Sequence, residues 1–373
     1  MHIVVAPDKF KGCLTAAQVA AAVSEGLLCG HGEVSTTVLP VADGGDGTVV
    51  AAVAAGFQQV EVQVEGPTGA AVLAPYAVAG NRAVVELAAA CGLGLLPGGR
   101  HDPLQASTYG LGQVIAAAID RGARDIVIGI GGSASTDGGA GMVQALGTRL
   151  LDVAGNSIGR GGAALYGVAS LDVTELRGRV AGVRFSVACD VDNPLLGPLG
   201  ATAVFGPQKG ADAQELALLE LSMSRWADLV ATTTGVDHAQ RPGAGAAGGA
   251  GFAAIALMDA VMAPGINLVL QLLNFSAAVA GADLVVTGEG SLDEQSLAGK
   301  APIGVAAAAA LAGVPTVAVA GRCLLTHERL RAAGIADVYA LLDLEPNVST
   351  SMANAADLLR TVGHHIFQDW HRD

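Results

Sequence analysis

The chain has 373 residues, of which 51% are hydrophobic and 14% are charged, and its formal net charge is −14. This length and composition predict a globular protein of two to three domains, and the negative charge without a basic run argues against nucleic acid and anionic lipid as partners. Five widely spaced cysteines without a C-x-x-C pair, an N-terminus without a basic leader, and apolar stretches interrupted by Pro and Gly predict a cytoplasmic protein that does not span a membrane.

Short apolar runs alternate along the chain with glycine-rich loops and alanine-rich helical stretches, which is the pattern of an α/β fold. The runs predicted as buried strands are IVVAP (3–7), VSTTVLPV (34–41), DIVIGI (125–130), VRFSVAC (183–189), DLVVTG (283–288) and PTVAVAG (315–321). Capping residues predict helix starts at Thr15, Thr48, Ser107 or Thr108, and near Asp212, and a last helix is expected over 351–369.

Two segments interrupt this pattern. Residues 57–87 alternate apolar and polar side chains around Gly66-Pro67-Thr68-Gly69, which predicts an antiparallel hairpin and a change of architecture. Residues 235–251 form the strongest glycine-rich stretch, which indicates a flexible loop or an interdomain hinge.

The lysines are few and lie in unusual places. Only four occur, against 16 arginines, and each lies in a short segment bracketed by Gly or Pro: Lys9, Lys11, Lys209 and Lys300. Ammonium groups in such loops are candidates for anion binding, because glycine lets backbone N–H groups approach an anion closely. The alternative is that these lysines simply follow the general preference of lysine for loops.

Several loops that follow predicted strands carry polar residues, and ligands of parallel α/β sheets bind at these strand ends. Two of the loops contain D-G-G-x-G before a helix, one with Asp43 and Asp46 and one with Asp137. Such loops can cradle a phosphate or a carboxylate, although Asp43 and Asp137 are equally explained as helix caps. Asp46 is replaced by Ala140 in the second loop, so the turn itself does not require an acid there.

Later strand ends carry more oxygen ligands and cations. Asp190 and Asp192 precede Pro194 and suit Mg²⁺ or proton transfer, with an Asx turn as the alternative. Glu289 follows the DLVVTG run between two glycines, and Arg322 follows PTVAVAG, where it can clamp a carboxylate or remain an ordinary surface arginine. The eight histidines show no zinc-ligand spacing.

Five of these segments together resemble the glycerate kinase type I family. They are IVVAPDKFKG, LPVADGGDGT, GIGGSASTDGGAG, ACDVDNPLLGP with FGPQKGA, and VVTGEGSLDEQSLAGKAP. They follow the family's order at similar spacing, and the resemblance covers nearly the whole chain. One departure is Cys13, which stands where such loops frequently carry a serine.

The resemblance implies ATP-dependent phosphorylation of D-glycerate with Mg²⁺, and 2-phosphoglycerate is favoured over 3-phosphoglycerate as the product. It also implies a flavodoxin-like parallel-sheet domain built from both chain ends, residues 1–60 and 280–373. A second, restriction-enzyme-like α/β domain is inserted between them at 61–279, with the active site in the cleft. The rival hypotheses are a kinase for another small hydroxy or sugar acid and a non-catalytic metabolite-binding regulator. The sequence does not distinguish a monomer from a homodimer.

Roles for individual residues are inferred from the needs of phosphoryl transfer, which are cations, a metal ion and a group that accepts or orients the hydroxyl proton. We expect Asp190 to be the base and Lys9 to stabilise the transferring phosphoryl group. The residues expected to bind substrate are Lys11, Asp43, Asp46 and Arg322. Those expected to bind nucleotide phosphates are Gly131, Gly132, Ser133, Lys209 and Lys300, and those expected to hold Mg²⁺ are Asp192 and Glu289.

Overall fold

The computed structural model describes residues 1–29, 34–45 and 47–371. These residues form thirteen strands. In chain order they are β1 (His2–Pro7), β2 (Ser35–Val38), β3 (Gln58–Glu65), β4 (Ala71–Ala79), β5 (Arg82–Glu86), β6 (Asp125–Gly129), β7 (Arg149–Leu151), β8 (Ser170–Asp172), β9 (Arg184–Ala188), β10 (Val261–Ala263), β11 (Leu284–Leu292), β12 (Thr316–Cys323) and β13 (Asp337–Ala340). All six runs predicted as strands are strands, so the α/β prediction is confirmed.

Helices occupy most of the remaining described sequence. They are α1 (Ala16–Leu28), α2 (Thr48–Ala54), α3 (Leu87–Cys91), α4 (Tyr109–Asp120), α5 (Ala140–Ala145), α6 (Thr174–Val180), α7 (Ala201–Phe205), α8 (Ala213–Thr234), α9 (Ala246–Met258), α10 (Gly265–Leu272), α11 (Phe275–Val279), α12 (Ala301–Leu311), α13 (His327–Ala332), α14 (Leu341–Leu344), α15 (Val348–Ala353) and α16 (Ala355–Trp370). Short 3-10 turns lie at Leu93–Leu95, Pro97–Gly99, Gly162–Gly167, Pro207–Lys209 and Ser296–Ala298. None of the helices in the described ranges is long and apolar enough to cross a membrane.

Capping residues set the starts of two helices as the sequence predicts. The Thr15 hydroxyl accepts from the Gln18 N–H, and the Gln18 side chain accepts from the Thr15 N–H, which completes a capping box before α1. Asp212 and Glu215 make the same reciprocal pair before α8. Each box satisfies backbone donors that the first helical turn leaves without an intrahelical partner.

The chain divides into two compact units, Met1–Asp43 with Pro264–Asp373 (unit 1) and Gly44–Ala263 (unit 2). These borders differ from the predicted ones near residues 60 and 280. The stretch before the hairpin belongs to unit 2 because α2 packs on β5 and β4. The stretch before β11 belongs to unit 1 because α10 and α11 pack on α12.

Unit 1 is built on a five-stranded sheet in the order β13-β12-β11-β1-β2, with every pair parallel. Renumbered within the unit, this is the 2-1-3-4-5 order of flavodoxin-like folds. The central strands are apolar on both faces because helices cover both sides, and β1 has five buried residues out of six. Helices α1 and α16 cover one side, where Gly26 and Gly363 let their backbones approach each other closely.

Unit 2 contains a six-stranded mixed sheet in the order β10-β9-β6-β5-β4-β3. The predicted hairpin is confirmed, since β3 and β4 pair antiparallel around a turn closed by the Gly66 N–H donating to Ala70 O. Strands β5, β6, β9 and β10 are parallel, so their carboxyl ends share one edge. The core on this sheet includes Trp226, which packs edge-on against Phe252.

The glycine-rich stretch has a different role from the predicted one. It lies inside unit 2, not at its border, so it is not an interdomain hinge. Its later part is buried: the Gly248 carbonyl accepts from the Gly138 N–H at 2.9 Å, and a Cβ at Gly248 would overlap the Ser135 carbonyl oxygen. These glycines allow close backbone packing against the loop after β6, so the prediction of a flexible loop is also wrong for this part.

Candidate active site

The order of strands in unit 1 reverses between β1 and β11, because β2 lies on one side of β1 while β11, β12 and β13 extend on the other. In open parallel sheets, ligands bind outside the carboxyl ends of the strands at this switch point. Pro7, the last residue of β1, lies opposite Gly288 of β11. The residues that follow these two positions are therefore the first candidates for a site in unit 1.

Asp8 directly follows β1 and is buried, with 7% of its surface exposed. Its N–H donates to Gly288 O at 2.8 Å, and its Oδ1 accepts from the Lys9 N–H at 2.6 Å. Burial raises the pKa of the Asp8 carboxyl to about 7; the Lys9 charge and N–H oppose the rise, and the carboxylates of Asp43 and Glu289 add to it. Asp8 therefore changes its protonation near neutral pH, which suits a group that exchanges a proton.

Glu289 lies within β11, paired with Ala320 of β12, because the strand continues to Leu292 beyond the apolar run that predicts it. Its Oε1 is buried and has no hydrogen-bond partner among the described residues. Burial raises the pKa of this carboxyl, whereas Ser296 and the Lys300 charge lower it. The charges of Asp43 and Glu289 raise the pKa of Asp8, and the charge of Asp43 also raises that of Glu289, so these three residues are called the switch-point cluster below.

The predicted cations of unit 1 surround this cluster to different extents. Lys9 and Lys300 are partly buried, and their positive charges lower the pKa of Asp8 and Glu289, respectively. Lys11 is exposed, in a turn that the buried side chain of Phe10 anchors to the core. Arg322 is also exposed, and its Nε donates to Ser291 Oγ at 3.0 Å.

Unit 2 presents a second group of candidate residues after β6. Gly132 has φ +72° and is exposed, and in the described part of the chain no acceptor receives a hydrogen bond from the N–H groups of Gly132 and Ser133. The loop is held at its sides, since Leu93 N–H donates to Gly132 O and Ala134 N–H donates to Cys91 O. N–H donors without an acceptor on a fixed glycine loop are the arrangement that binds phosphate oxygens, and of these two residues Gly132 is exposed while Ser133 is buried.

Asp137, in the same loop, has a structural task. It is fully buried and accepts from the N–H groups of Thr108, Gly139 and Gly141 and from the hydroxyls of Ser107 and Thr108. Burial raises the pKa of this carboxyl, and the bonds from Thr108, Gly139 and Gly141 oppose the rise. Asp137 thus occupies the start of α5, which supports the capping interpretation and removes that helix end as an anion site.

The other D-G-G-x-G loop is capped in a comparable way. The N–H groups of Gly47 and Val49, at the start of α2, both donate to Glu86 Oε1. A carboxylate of the protein therefore occupies this helix end too. Asp46 lies outside the described residues, so its predicted role in substrate binding stays a prediction.

Lys209 is the most unusual of the four lysines, because only 3% of its surface is exposed. Its Nζ donates to Ser133 Oγ at 2.9 Å and to Ser135 O at 2.5 Å. Burial lowers the pKa of this ammonium group to about 7, and the charge of Asp137 opposes the fall. Lys209 therefore contacts the predicted phosphate loop from within the protein.

The remaining predicted residues, Asp190 and Asp192, are both exposed and follow β9, the strand beside β6. Because β6 and β9 are parallel, both loops lie at one edge of the unit 2 sheet. Among the described residues, no group of three or more His, Cys, Asp and Glu side chains is placed to hold a metal ion alone. Asp192 lies in unit 2 and Glu289 in unit 1, so the two predicted metal ligands come from different units.

Comparison with known proteins identifies the family. Residues 3–371 match the model of the glycerate kinase family. The chain belongs to that family. It is 44% identical over 368 residues to a glycerate kinase of Halalkalibacterium halodurans, and the match covers 98% of this chain and 97% of the relative. It is 42% identical over 370 residues to the glycerate 2-kinase of Escherichia coli, again covering 98% of this chain and 97% of the relative. A crystal structure from Salmonella typhimurium LT2 with a provisional assignment as glycerate kinase 2 superposes with a TM-score of 0.88 at 41% identity, covering 99% of this chain and 98% of that one.

Family membership confirms the resemblance, the two-domain α/β architecture and the class of enzyme, a kinase. Within this glycerate kinase family member, unit 1 brings Lys9, Asp43 and Glu289 together around Asp8, and Lys300 lowers the pKa of Glu289. Asp8 lies within the segment IVVAPDKFKG, but the sequence alone gave it no role. Its place directly after a buried strand was the available signal, whereas its burial depends on contacts with β11, far along the chain.

Proposed function

We propose that this chain transfers the γ-phosphoryl group of ATP to the 2-hydroxyl of D-glycerate, giving 2-phosphoglycerate and ADP. The observation that carries the proposal is the 42–44% identity to named glycerate kinases over nearly the whole chain, one of which is named a 2-kinase. The two groups of candidate residues support it, since one offers buried carboxylates among cations and the other offers open N–H donors.

In the proposed reaction, the substrate hydroxyl oxygen forms a bond to the γ-phosphorus while the bond between that phosphorus and the β,γ-bridging oxygen breaks. ADP carries away the electrons of the broken bond, and the hydroxyl proton passes to a carboxylate of the protein. Asp190 is the base expected from the sequence. Asp8 is a second candidate, favoured by its burial and by its position at the switch point of unit 1.

The cations of unit 1 fit the anionic parts of this reaction. Lys9 and Lys300 lie among the switch-point carboxylates, so they suit the transferring phosphoryl group and the nucleotide phosphates, respectively. Lys11 and Arg322 are exposed and suit the substrate carboxylate. In unit 2, the Gly131 to Ser133 loop is the proposed phosphate cradle.

Mg²⁺ is proposed as the metal ion. It takes one or two protein carboxylates and leaves its other positions to water and phosphate, so a three-carboxylate cage is not required. The buried Oε1 of Glu289, which has no hydrogen-bond partner in the described chain, fits such an ion, and the exposed Asp192 is the second proposed ligand. When bound, Mg²⁺ would neutralise charge on the nucleotide phosphates.

The proposal is tested by incubating the protein with ATP, Mg²⁺ and D-glycerate and identifying the phosphorylated carbon by ³¹P–¹H NMR. A panel of other hydroxy and sugar acids, assayed in parallel, tests the rival kinase hypothesis. Coupling of phosphorus to the proton on carbon 2 is expected. Absence of ATP consumption with every acid would refute a catalytic function, and faster turnover of another acid would refute D-glycerate as the substrate.

The identity of the base is tested with Asp8→Asn and Asp190→Asn. Each replacement is nearly isosteric and removes the ability to accept a proton. Loss of a base typically costs about 10²- to 10⁴-fold in kcat. The variant that retains near-normal kcat across the pH range identifies the carboxylate that is not the base.

A further inference from the structure

Lys209 lies in the 3-10 turn Pro207–Lys209, which follows α7, and its side chain points into the protein. Burying an ammonium group is expensive unless acceptors surround it. The described acceptors both belong to one loop, namely Ser133 Oγ and Ser135 O. Ser133 Oγ also donates to Ser135 O at 3.1 Å, so three groups form a closed set of hydrogen bonds.

The opposite side of this set is closed by Gly248. A Cβ on that residue would lie 2.9 Å from Nζ of Lys209 and would overlap the Ser135 carbonyl oxygen. The Gly248 carbonyl also accepts from the Gly138 N–H, which fastens the far end of the loop. The ammonium group is therefore enclosed between the loop at 131–135 and Gly248, and the conformation of that loop depends on both contacts.

We propose that Lys209 is a positioning residue, which orders the loop at 131–135 so that N–H groups of this loop that have no described acceptor, above all that of the exposed Gly132, bind nucleotide phosphate. This inference rests on the proposed function for the identity of the ligand. It assigns Lys209 a different role from the direct phosphate contact expected from the sequence, because the described acceptors of its ammonium group are protein atoms. The phosphate is bound by backbone N–H groups such as those of Gly132 and Ser133, which have no described acceptor.

The test compares Lys209→Met with the parent protein in two measurements. The first is hydrogen exchange without ligand, followed by mass spectrometry of peptides covering residues 131–139. Two amides in this stretch are bonded to neighbouring segments, those of Ala134 and Gly138. If Lys209 orders the loop, their exchange is at least about tenfold faster in the variant, because Ser135 O has lost its donor.

The second measurement is steady-state kinetics with ATP and D-glycerate varied separately. We expect KM for ATP to rise about tenfold or more while KM for D-glycerate changes little, a split that general destabilisation does not produce. Arg177→Met is the matched control, since it removes an exposed cation from the same unit. It should leave both amides and both KM values unchanged.

Ser133→Ala is the second variant, and it keeps the lysine. It removes one acceptor of the ammonium group and should raise KM for ATP in the same direction by a smaller factor, so the proposal remains testable if Lys209→Met does not fold. Unchanged amide exchange in Lys209→Met with weaker ATP binding would overturn positioning in favour of direct contact. Unchanged exchange and unchanged KM would overturn both, whereas a parent protein without kinase activity would refute the proposed function and leave the exchange test intact.

Discussion

Replacing Asp8 by Asn should stabilise the protein at alkaline pH, and the size of this effect can be calculated from the pKa. The folded protein holds the Asp8 carboxyl at a pKa of about 7, against an ordinary value of 3.8. The difference is about 3 pH units, and each unit corresponds to about 1.4 kcal/mol, so ionising Asp8 in the folded state costs up to about 4 kcal/mol. The amide of the Asp8→Asn variant keeps an oxygen that can accept from the Lys9 N–H, and it does not ionise.

The direction follows from proton linkage. Between about pH 4 and pH 7, the folded state binds the Asp8 proton and the unfolded state does not, so the contribution of Asp8 to stability falls as pH rises through this window. The Asp8→Asn substitution removes that fall. The variant and the parent should therefore be similarly stable at about pH 4, whereas at about pH 8 the variant should be more stable by up to about 4 kcal/mol.

The assay is thermal unfolding of both proteins from about pH 4 to about pH 8, in EDTA and without nucleotide. Unit 1 contains about 150 residues, for which 1 kcal/mol shifts Tm by about 2–4 °C, so a rise of roughly 10 °C is expected at the alkaline end. Asp192→Asn, which replaces an exposed carboxylate, is the control and should follow the parent at every pH. A difference between the Asp8→Asn variant and the parent that does not change over this pH range would refute the burial argument.

Three further predictions concern both function and packing. Lys9→Met should lower kcat by about 10² or more if the ammonium group stabilises charge on the transferring phosphoryl group, and near-normal turnover would exclude that role. Glu289→Gln should raise the Mg²⁺ concentration for half-maximal activity about tenfold, measured by MgCl₂ titration at saturating substrates, and an unchanged titration would remove this residue as a ligand. Gly26→Ala should lower the free energy of unfolding by about 1–3 kcal/mol in urea titrations, because the new Cβ would overlap the Arg360 carbonyl oxygen between α1 and α16. A loss below about 0.5 kcal/mol, the size of an ordinary surface change, would contradict that contact.

Local features of the fold follow from the sequence because they depend on neighbouring residues. The capping boxes at Thr15 and Asp212 and the hairpin turn after Glu65 each involve only a few consecutive positions. The borders of the two units do not follow from such local signals, since they depend on which sheet each helix covers. Helix α2, for example, follows unit 1 sequence but packs on β5 and β4 of unit 2.

The candidate site shows the same division between local and distant information. The sequence pattern predicts the strand-end loops, and these loops contain most of the candidate residues that the structure brings together. What the pattern does not contain is burial: Lys209 and Asp192 both occupy loops in the sequence, yet the first is enclosed and the second is exposed. The enclosure of Lys209 comes from Gly248, in a distant part of the chain, whose missing side chain leaves room for the ammonium group.

Each unit of this kinase family member buries an ionisable group beside the carboxyl end of a central strand, Asp8 after β1 in unit 1 and Lys209 against the loop after β6 in unit 2. Burial shifts both pKa values to about 7, in opposite directions from their ordinary values. Neither shift benefits stability, because each folded unit must hold a charge that water would solvate better. A neutral amide of similar size at Asp8 would fold more stably above neutral pH, so the presence of this carboxyl is better explained by a function at the end of β1 than by the architecture around it.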